Sequence, residues 1–319
     1  MPRRRAPRSL AVGAWILGIV VVGGASAPFV ATDRPWLARG PAGYSSPAAR
    51  AAVGLPAPPA DRSAETVLRA PVPQSPDSID LSAVLQPPSR AHWLGTDGLG
   101  RDVGSRLLHG ARVSLAVGLL STALALALGL PLGALAGSRR GLADAVVSRA
   151  VEAVLCFPSL LLALALLASS PPWLAAWPES VRLAFVVGIT GWTAVARYTR
   201  GEFLKLGGSA VVESARSAGA GSFRIVVRHV LPLAAAPVLV TASFSVGAAI
   251  LLEASLSFLG LGVSPPTASW GSLLTEAAVH LDRGWWLAMF PGSALFLSVL
   301  ACNLTGEGVR DALDPRSTR

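Results

Sequence analysis

Charge is scarce in this chain. Of its 319 residues only 14% are Asp, Glu, Lys or Arg, and mean hydropathy is +0.55, whereas an average soluble domain carries roughly 25% charged residues. A water-soluble globule is disfavoured and lipid becomes the expected solvent. Lysine is nearly missing: Lys205, between Leu204 and Leu206, stands alone, so no glycine-rich phosphate loop ending in Gly-Lys-Ser/Thr can be drawn. Any ATP used must be hydrolysed by another polypeptide. Cys156 and Cys302 both fall in apolar runs, which gives neither a disulfide framework nor a zinc site and predicts two small buried hydrophobes. His92, His109, His229 and His280 are scattered without metal spacing or a neighbouring nucleophile motif, so no catalytic residue, metal or cofactor is expected. No run shows a strand signature.

What the sequence has instead is long apolar runs. A bilayer core of about 30 Å takes roughly 20 apolar residues per helix. Six candidate spans meet that length within a few residues: Leu10–Ala31, Val113–Gly137, Val151–Ser169, Val181–Tyr198, Leu231–Leu252 and Trp285–Thr305. The fold class is therefore an all-α polytopic membrane protein. The runs are rich in Leu, Ala, Val and Gly, so peptide groups pair within each helix and small residues permit close helix contacts.

The formal charge of +9 does not point to nucleic acid, because the arginines are scattered between spans instead of forming one basic stripe with stacking aromatics. They serve orientation. Arg3, Arg4, Arg5 and Arg8 precede the first span, Arg139 and Arg140 follow the second, and Arg197, Arg200, Lys205, Arg216, Arg224 and Arg228 surround the fourth-to-fifth connection. Arg310, Arg316 and Arg319 follow the sixth. By the positive-inside rule these segments, and both termini, are cytoplasmic. Trp173, Trp177, Trp285 and Trp286 then fall on the outer side, where indole rings favour the interface.

Three segments follow along the chain: an N-terminal tail and anchor (1–31), an extracytoplasmic stretch (32–111) and a transmembrane domain (112–319). The first also resembles a signal peptide, with Ala25-Ser26-Ala27 after its apolar core. That core is longer than the roughly 7 to 15 residues of a signal sequence, so an uncleaved anchor is expected. The stretch after it is rich in Pro, Ala, Ser and Arg, with Pro56-Ala57-Pro58-Pro59, and reads as an irregular excursion. Between spans five and six, Pro265-Pro266 interrupts the chain and Ser272–Leu281 can form a short outer helix.

The most informative connection is 207–232, GGSAVVESARSAGAGSFRIVVRHVLP. Gly207-Gly208 ends the preceding helix and Ser209 can cap a new one. There Val211, Ala215 and Ala218 share a face, with Glu213 and Arg216 as an i,i+3 pair on another. Gly219-Ala220-Gly221 turns the chain, and Ser222 is a second cap candidate. Phe223, Val226, Val227 and Val230 follow with helical spacing, and Pro232 admits the next span. Such an amphipathic pair suits insertion into a partner's groove or a position flat on lipid headgroups, and periodicity leaves both open.

Glu213, Ala215, Gly219, Leu231 and Pro232 resemble the EAA loop of bacterial ABC-importer permeases, in which EAA is followed after three residues by Gly and later by Leu-Pro. Ser214 and His229 depart from that pattern. The run HWLGTDGLGRDVGSRLLHGARVSL from His92 is similar to the corresponding region of dipeptide, oligopeptide and nickel permeases, with Trp93 where proline is usual. Phe157-Pro158-Ser159-Leu160, the stretch from Glu253 to Gly262, Ser269-Trp270-Gly271 and the run from Arg310 to Pro315 extend the likeness over about residues 90 to 316. The resemblance implies a type I ABC-importer permease fold in the cell inner membrane. It implies a second homologous permease, two ABC ATPase subunits and an extracytoplasmic solute-binding protein as partners, with peptides as the expected cargo. Glu213, Ala215, Gly219, Phe223, Leu231 and Pro232 would form the ATPase-coupling loop.

Two further groups invite a role. Asp97, Arg101, Asp102, Arg106 and Arg112 are dense alternating charges ahead of span two, suited to pairing with one another or to contacting a binding protein or sister subunit. Glu253 ends span five, where an ionisable group either lines a pathway or is solvated at the boundary. An ion-coupled carrier or channel using such a carboxylate, without ATPase partners, is the alternative.

Overall fold

A chain without water to bond its peptide groups satisfies them within single elements, and helices dominate here accordingly. The computed structural model describes residues 8–40, 43–52, 55, 65–139 and 141–313. Arg3 to Arg5, Pro56 to Pro59, Arg140, Asp314, Pro315, Arg316 and Arg319 lie outside those residues. The helices of eight residues or more are α1 (Arg8–Val30), α2 (Val103–Ser138), α3 (Leu142–Leu155), α4 (Ser159–Ala168), α5 (Glu179–Gly207), α6 (Ala210–Ser217), α7 (Ser222–Phe258), α8 (Trp270–Val279) and α9 (Trp285–Leu313).

Four of them, α1, α2, α7 and α9, are long and apolar enough to cross a bilayer, and the pair α3–α4 makes a fifth if counted as one broken span. That pair is bent by 84°, where an unbroken span was expected over Val151–Ser169. Pro158 accounts for the break: it lacks an N–H and pushes Phe157 out of helical geometry. Cys156 is exposed at this bend, against expectation, whereas Cys302 is buried. The remaining expected span lies in α5, whose 29 residues exceed the length required but are more polar. Much of α5 is buried against protein, which relaxes the demand for lipid-compatible side chains. The Thr190 hydroxyl bonds inside the helix, Oγ1 donating to the carbonyls of Val186 (3.1 Å) and Val187 (3.0 Å).

The chain divides into two compact units. In the unit made of Met1–Leu17, Ala116–Glu253 and Leu297–Arg319, α2 and α5 meet backbone to backbone. A Cβ on Gly133 would lie 2.4 Å from the carbonyl oxygen of Ala196, one on Gly129 2.6 Å from that of Trp192, and one on Gly137 2.5 Å from Phe203 Cβ. Small residues four apart thus form a stripe along which two helices close up. Val147 and Val151 of α3 pack with Ala136 of α2 and Ala196 of α5. The start of α1 rests on α9, where a Cβ on Gly13 would fall 2.7 Å from the Thr305 nitrogen.

The other unit comprises Gly18–Leu115 and Ala254–Phe296. Here the expectation of no strands is corrected. Strands β1 (Leu37–Gly40), β2 (Gly43–Ser45) and β3 (Glu65–Leu68) form an antiparallel sheet in the order β2-β1-β3, with Ala38 opposite Ser45 and Leu37 opposite Leu68. Strands of three or four residues are too short to display a period of two. Helix α8 begins with a reciprocal cap between Ser269 and Ser272, and Trp270 Nε1 donates to the Leu107 carbonyl at 3.1 Å. Trp173, Trp177 and Trp285 are exposed, whereas Trp286 is buried: it packs with Val103, Ala277 and Leu287 and donates to the Thr96 carbonyl at 3.1 Å.

Candidate functional site

The connection after α5 folds as a hairpin of two helices. Gly207 is the last residue of α5 and Ser209 occupies the N-cap of α6, yet its hydroxyl makes no cap bond and is buried without a partner. The inward row of α6 is Val212 with Ala215, not the expected Val211, Ala215 and Ala218; Val211 is exposed. A one-residue rotation of the face accounts for the difference, because Val212 and Ala215 meet Phe203 and Ile225 in one core with Val230 and Ala234. Among the described residues no ion pair joins Glu213 to Arg216, and both side chains face outward.

The turn explains the spacing of Ala215 and Gly219. Gly219 has φ of +80°, the Ala220 N–H donates to the Ala215 carbonyl (3.0 Å) and the Gly219 N–H to that of Arg216 (3.0 Å). This 6→1 and 5→2 pair closes the end of α6 and needs a residue in the left-handed region, which favours glycine. Ala215 and Ala220 both pack on the hairpin core. The second cap is Gly221, with Ser222 already helical.

The chain enters the next span at Pro232 without a break. Ser222 to Phe258 is one helix containing a π-type turn, Val226–Val230, immediately before Leu231 and Pro232. Pro232 supplies no N–H and its ring crowds the preceding turn, and the widened turn accommodates it. The second helix turns Ile225 and Val230 inward and leaves Phe223 81% exposed, with Val227 also outward. Leu231 rests against the core and Pro232 is exposed.

Near the same core, Arg200 of α5 grips Asp144 of α3 with two bonds, Nε to Oδ1 at 2.5 Å and Nη2 to Oδ2 at 3.0 Å. Ser148 adds a third donor to Asp144 at 3.2 Å. Sequence reasoning missed this pair, since 56 residues separate its members. On α3, Arg149 and Glu152 form an exposed ion pair at 2.7 Å.

The charges before and at the start of α2 gather into a buried cluster. Asp97, with no exposed surface, accepts from Arg101 Nε (2.8 Å), Arg106 Nη1 (2.6 Å) and the backbone N–H groups of Leu99 and Arg101. Both arginines also reach Glu276 Oε1 of α8, at 2.7 and 2.9 Å. Asp102 stands apart: it caps Ser105 N at 2.7 Å and meets His92 Nδ1 at 2.9 Å. Arg112 is exposed and outside the cluster. Glu276 and His92 were not foreseen, and a lone carboxylate in the otherwise uncharged α8 was the available signal for the former. Gly100, at φ of +73° and with the Asp80 carbonyl in the space a Cβ would need, lets the loop close.

The two carboxylates differ electrostatically. Burial pushes the Asp97 carboxyl up, but Arg106, Arg101 and two backbone donors outweigh it and hold Asp97 below the usual carboxylate range. Burial wins at Glu276, with Asp97 adding to it, and its pKa is raised despite the arginines. Asp97 therefore contributes stability that persists above pH 3.8 and is lost as pH falls through its lowered value. Glu276 takes up its proton first, above 4.5. Asp97→Asn is expected to cost about 3 to 5 kcal/mol, because it strands buried guanidinium charge. Glu276→Gln keeps an acceptor without the buried charge and is expected to cost about 1 kcal/mol or less. Thermal unfolding of the purified protein measures the order; a larger cost for Glu276→Gln would reverse the roles.

Glu253 is fully buried in α7, not solvated at a boundary. Among the described residues no cluster of His, Cys, Asp and Glu is suited to a metal ion.

Residues 129–319 match the family described as binding-protein-dependent transport system inner membrane component. Similar proteins include the glutathione transport system permease protein GsiD of Pectobacterium atrosepticum, 43% identical over 237 residues covering 74% of this chain and 77% of that protein. The di/tripeptide transport system permease protein DppC of Pseudomonas aeruginosa is 42% identical over 250 residues, covering 76% and 80%. The probable D,D-dipeptide transport system permease protein DdpC of Escherichia coli is 38% identical over 242 residues, covering 76% and 79%. Among solved structures, an inward-facing MetNI methionine ABC transporter shares the fold, with a TM-score of 0.56 and 18% identity over 66% of this chain and 97% of that one. The chain belongs to the inner-membrane permease family of binding-protein-dependent transport systems.

Proposed function

We propose that this permease carries short peptides inward, by alternating access driven by ATP hydrolysis in separate subunits. The exposed Phe223 at the head of a hairpin otherwise held by its own core is the observation that carries this reading. A large aromatic projecting from a rigid platform is the kind of anchor that fills a pocket on a protein partner. Glu213 and Gly219 belong to the same outward surface and turn. Two ABC ATPases would receive the hairpins of this chain and of a second homologous permease, and closure of the ATPase pair would rock the spans between outward and inward states. An extracytoplasmic binding protein would deliver the cargo. The names of the peptide and glutathione relatives support the cargo class, and the arginine distribution supports cytoplasmic termini and hairpin. The ion-coupled alternative finds no support among these relatives.

Phe223→Asp tests the docking. The protein is expected to insert and unfold at an unchanged temperature, since Phe223 makes little contact with its own fold, while ATPase subunits co-purifying with it fall at least tenfold. Full retention of the ATPases by the variant would remove the aromatic from the interface.

A further inference from the structure

We propose that the Asp144–Arg200 pair is a positioning clamp that delivers movement of the hairpin to the bent helix α3–α4, and so sets how much transport each ATP yields. The inference rests on the coupling role given to the hairpin. Its geometric basis is the convergence of four elements. Arg200 is held bidentately by Asp144, in the first turn of α3. Its backbone lies against α2, where a Cβ on Gly137 would come 2.8 Å from the Arg200 carbonyl oxygen. Three residues on, Phe203 enters the hairpin core with Val212 and Ile225. Two turns beyond Arg200, α5 ends at Gly207 and the hairpin begins.

Displacement of the hairpin therefore acts on Phe203 and on the last turns of α5. The apolar packing of Val147 and Val151 on Ala136 and Ala196 holds α3 laterally but has no directional bond along the helix axes. The guanidinium–carboxylate fork supplies that direction: two parallel bonds fix distance and orientation together, which one ammonium cannot do. The pair is partly exposed, with side-chain exposures of 36% and 21%, so it contributes modestly to stability, and its geometry matters more than its energy. The 84° bend at the other end of α3 makes α3–α4 a separate lever.

The test uses the complete transporter in proteoliposomes, with uptake and ATP hydrolysis measured on the same sample. Asp144→Asn and Arg200→Gln are expected to retain bound ATPases and near-normal hydrolysis while uptake per ATP falls at least fivefold. Arg200→Lys, which keeps charge and loses the fork, should be impaired nearly as much. The exchange Asp144→Arg with Arg200→Asp should recover at least half of the wild-type ratio. An unchanged ratio in the single variants overturns the clamp, as does loss of uptake that the exchange fails to restore. Loss of ATPases from the single variants also overturns it, by making the pair part of assembly. Phe223→Asp separates this failure from failure of the hairpin reading, because that variant reports docking and leaves Asp144 and Arg200 in place.

Discussion

Replacing Gly219 by leucine is expected to reduce solute uptake more than tenfold while leaving membrane insertion and the helices intact. Nothing lies within 4 Å of the Cβ position, so crowding is not the cause. The cause is φ of +80°, which costs a side-chain-bearing residue about 1 to 2 kcal/mol. The chain can relieve that strain by giving up the two bonds that close α6, from Ala220 to Ala215 and from Gly219 to Arg216. The direction of the second helix, and with it the position of Phe223, would then change. Because the spans do not depend on this turn, a variant with normal abundance and absent transport is the expected phenotype. Parallel assays of uptake and ATP hydrolysis check it, and normal uptake would show that the turn geometry is immaterial.

Gly133→Leu is expected to act on the fold itself. The Cβ would sit 2.4 Å from the Ala196 carbonyl oxygen and 2.8 Å from Thr199 Cβ, and a backbone carbonyl cannot rotate aside as a flexible side chain can. α2 and α5 would have to separate, opening the contacts at Gly129 and Gly137 as well. Overpacking typically costs about 1 to 3 kcal/mol, occasionally more, and a backbone clash in a three-glycine stripe belongs at the upper end. Little folded protein should be recovered from membranes. Gly201→Leu, on the facing helix α5, is the control, since nothing lies within 4 Å of that Cβ position. Thermal unfolding and yield of the two variants measure the contrast; equal stability would mean that the stripe does not hold the helices together.

Hydropathy located the helical spans because apolar length is a local property, legible without knowing any partner. It failed at the α3–α4 bend and underweighted the polar content of α5, where neighbours and not lipid set the composition. In the hairpin, glycine and proline punctuation gave the turn at Gly219, but the inward face was misplaced by one residue between Val211 and Val212. A short helix with apolar residues at adjacent positions does not reveal which one its platform will accept. Pro232 read as a boundary since proline usually is one, yet the helix runs through it directly after a π-type turn. The charge pairings were legible in half: Asp97, Arg101 and Arg106 lie close in sequence, whereas Glu276 lies 170 residues beyond Arg106 and Arg200 is 56 residues from Asp144. Pairings across such separations leave no periodic trace in a single sequence.

The ATP dependence of uptake bears most directly on the importer assignment. Proteoliposomes containing this chain with the sister permease, ATPase pair and binding protein proposed for it should accumulate a labelled dipeptide when ATP is supplied on the ATPase side. They should fail to do so without ATP or with the Phe223→Asp chain. Accumulation by this chain alone, driven by an imposed proton or sodium gradient and indifferent to ATP, would contradict the assignment.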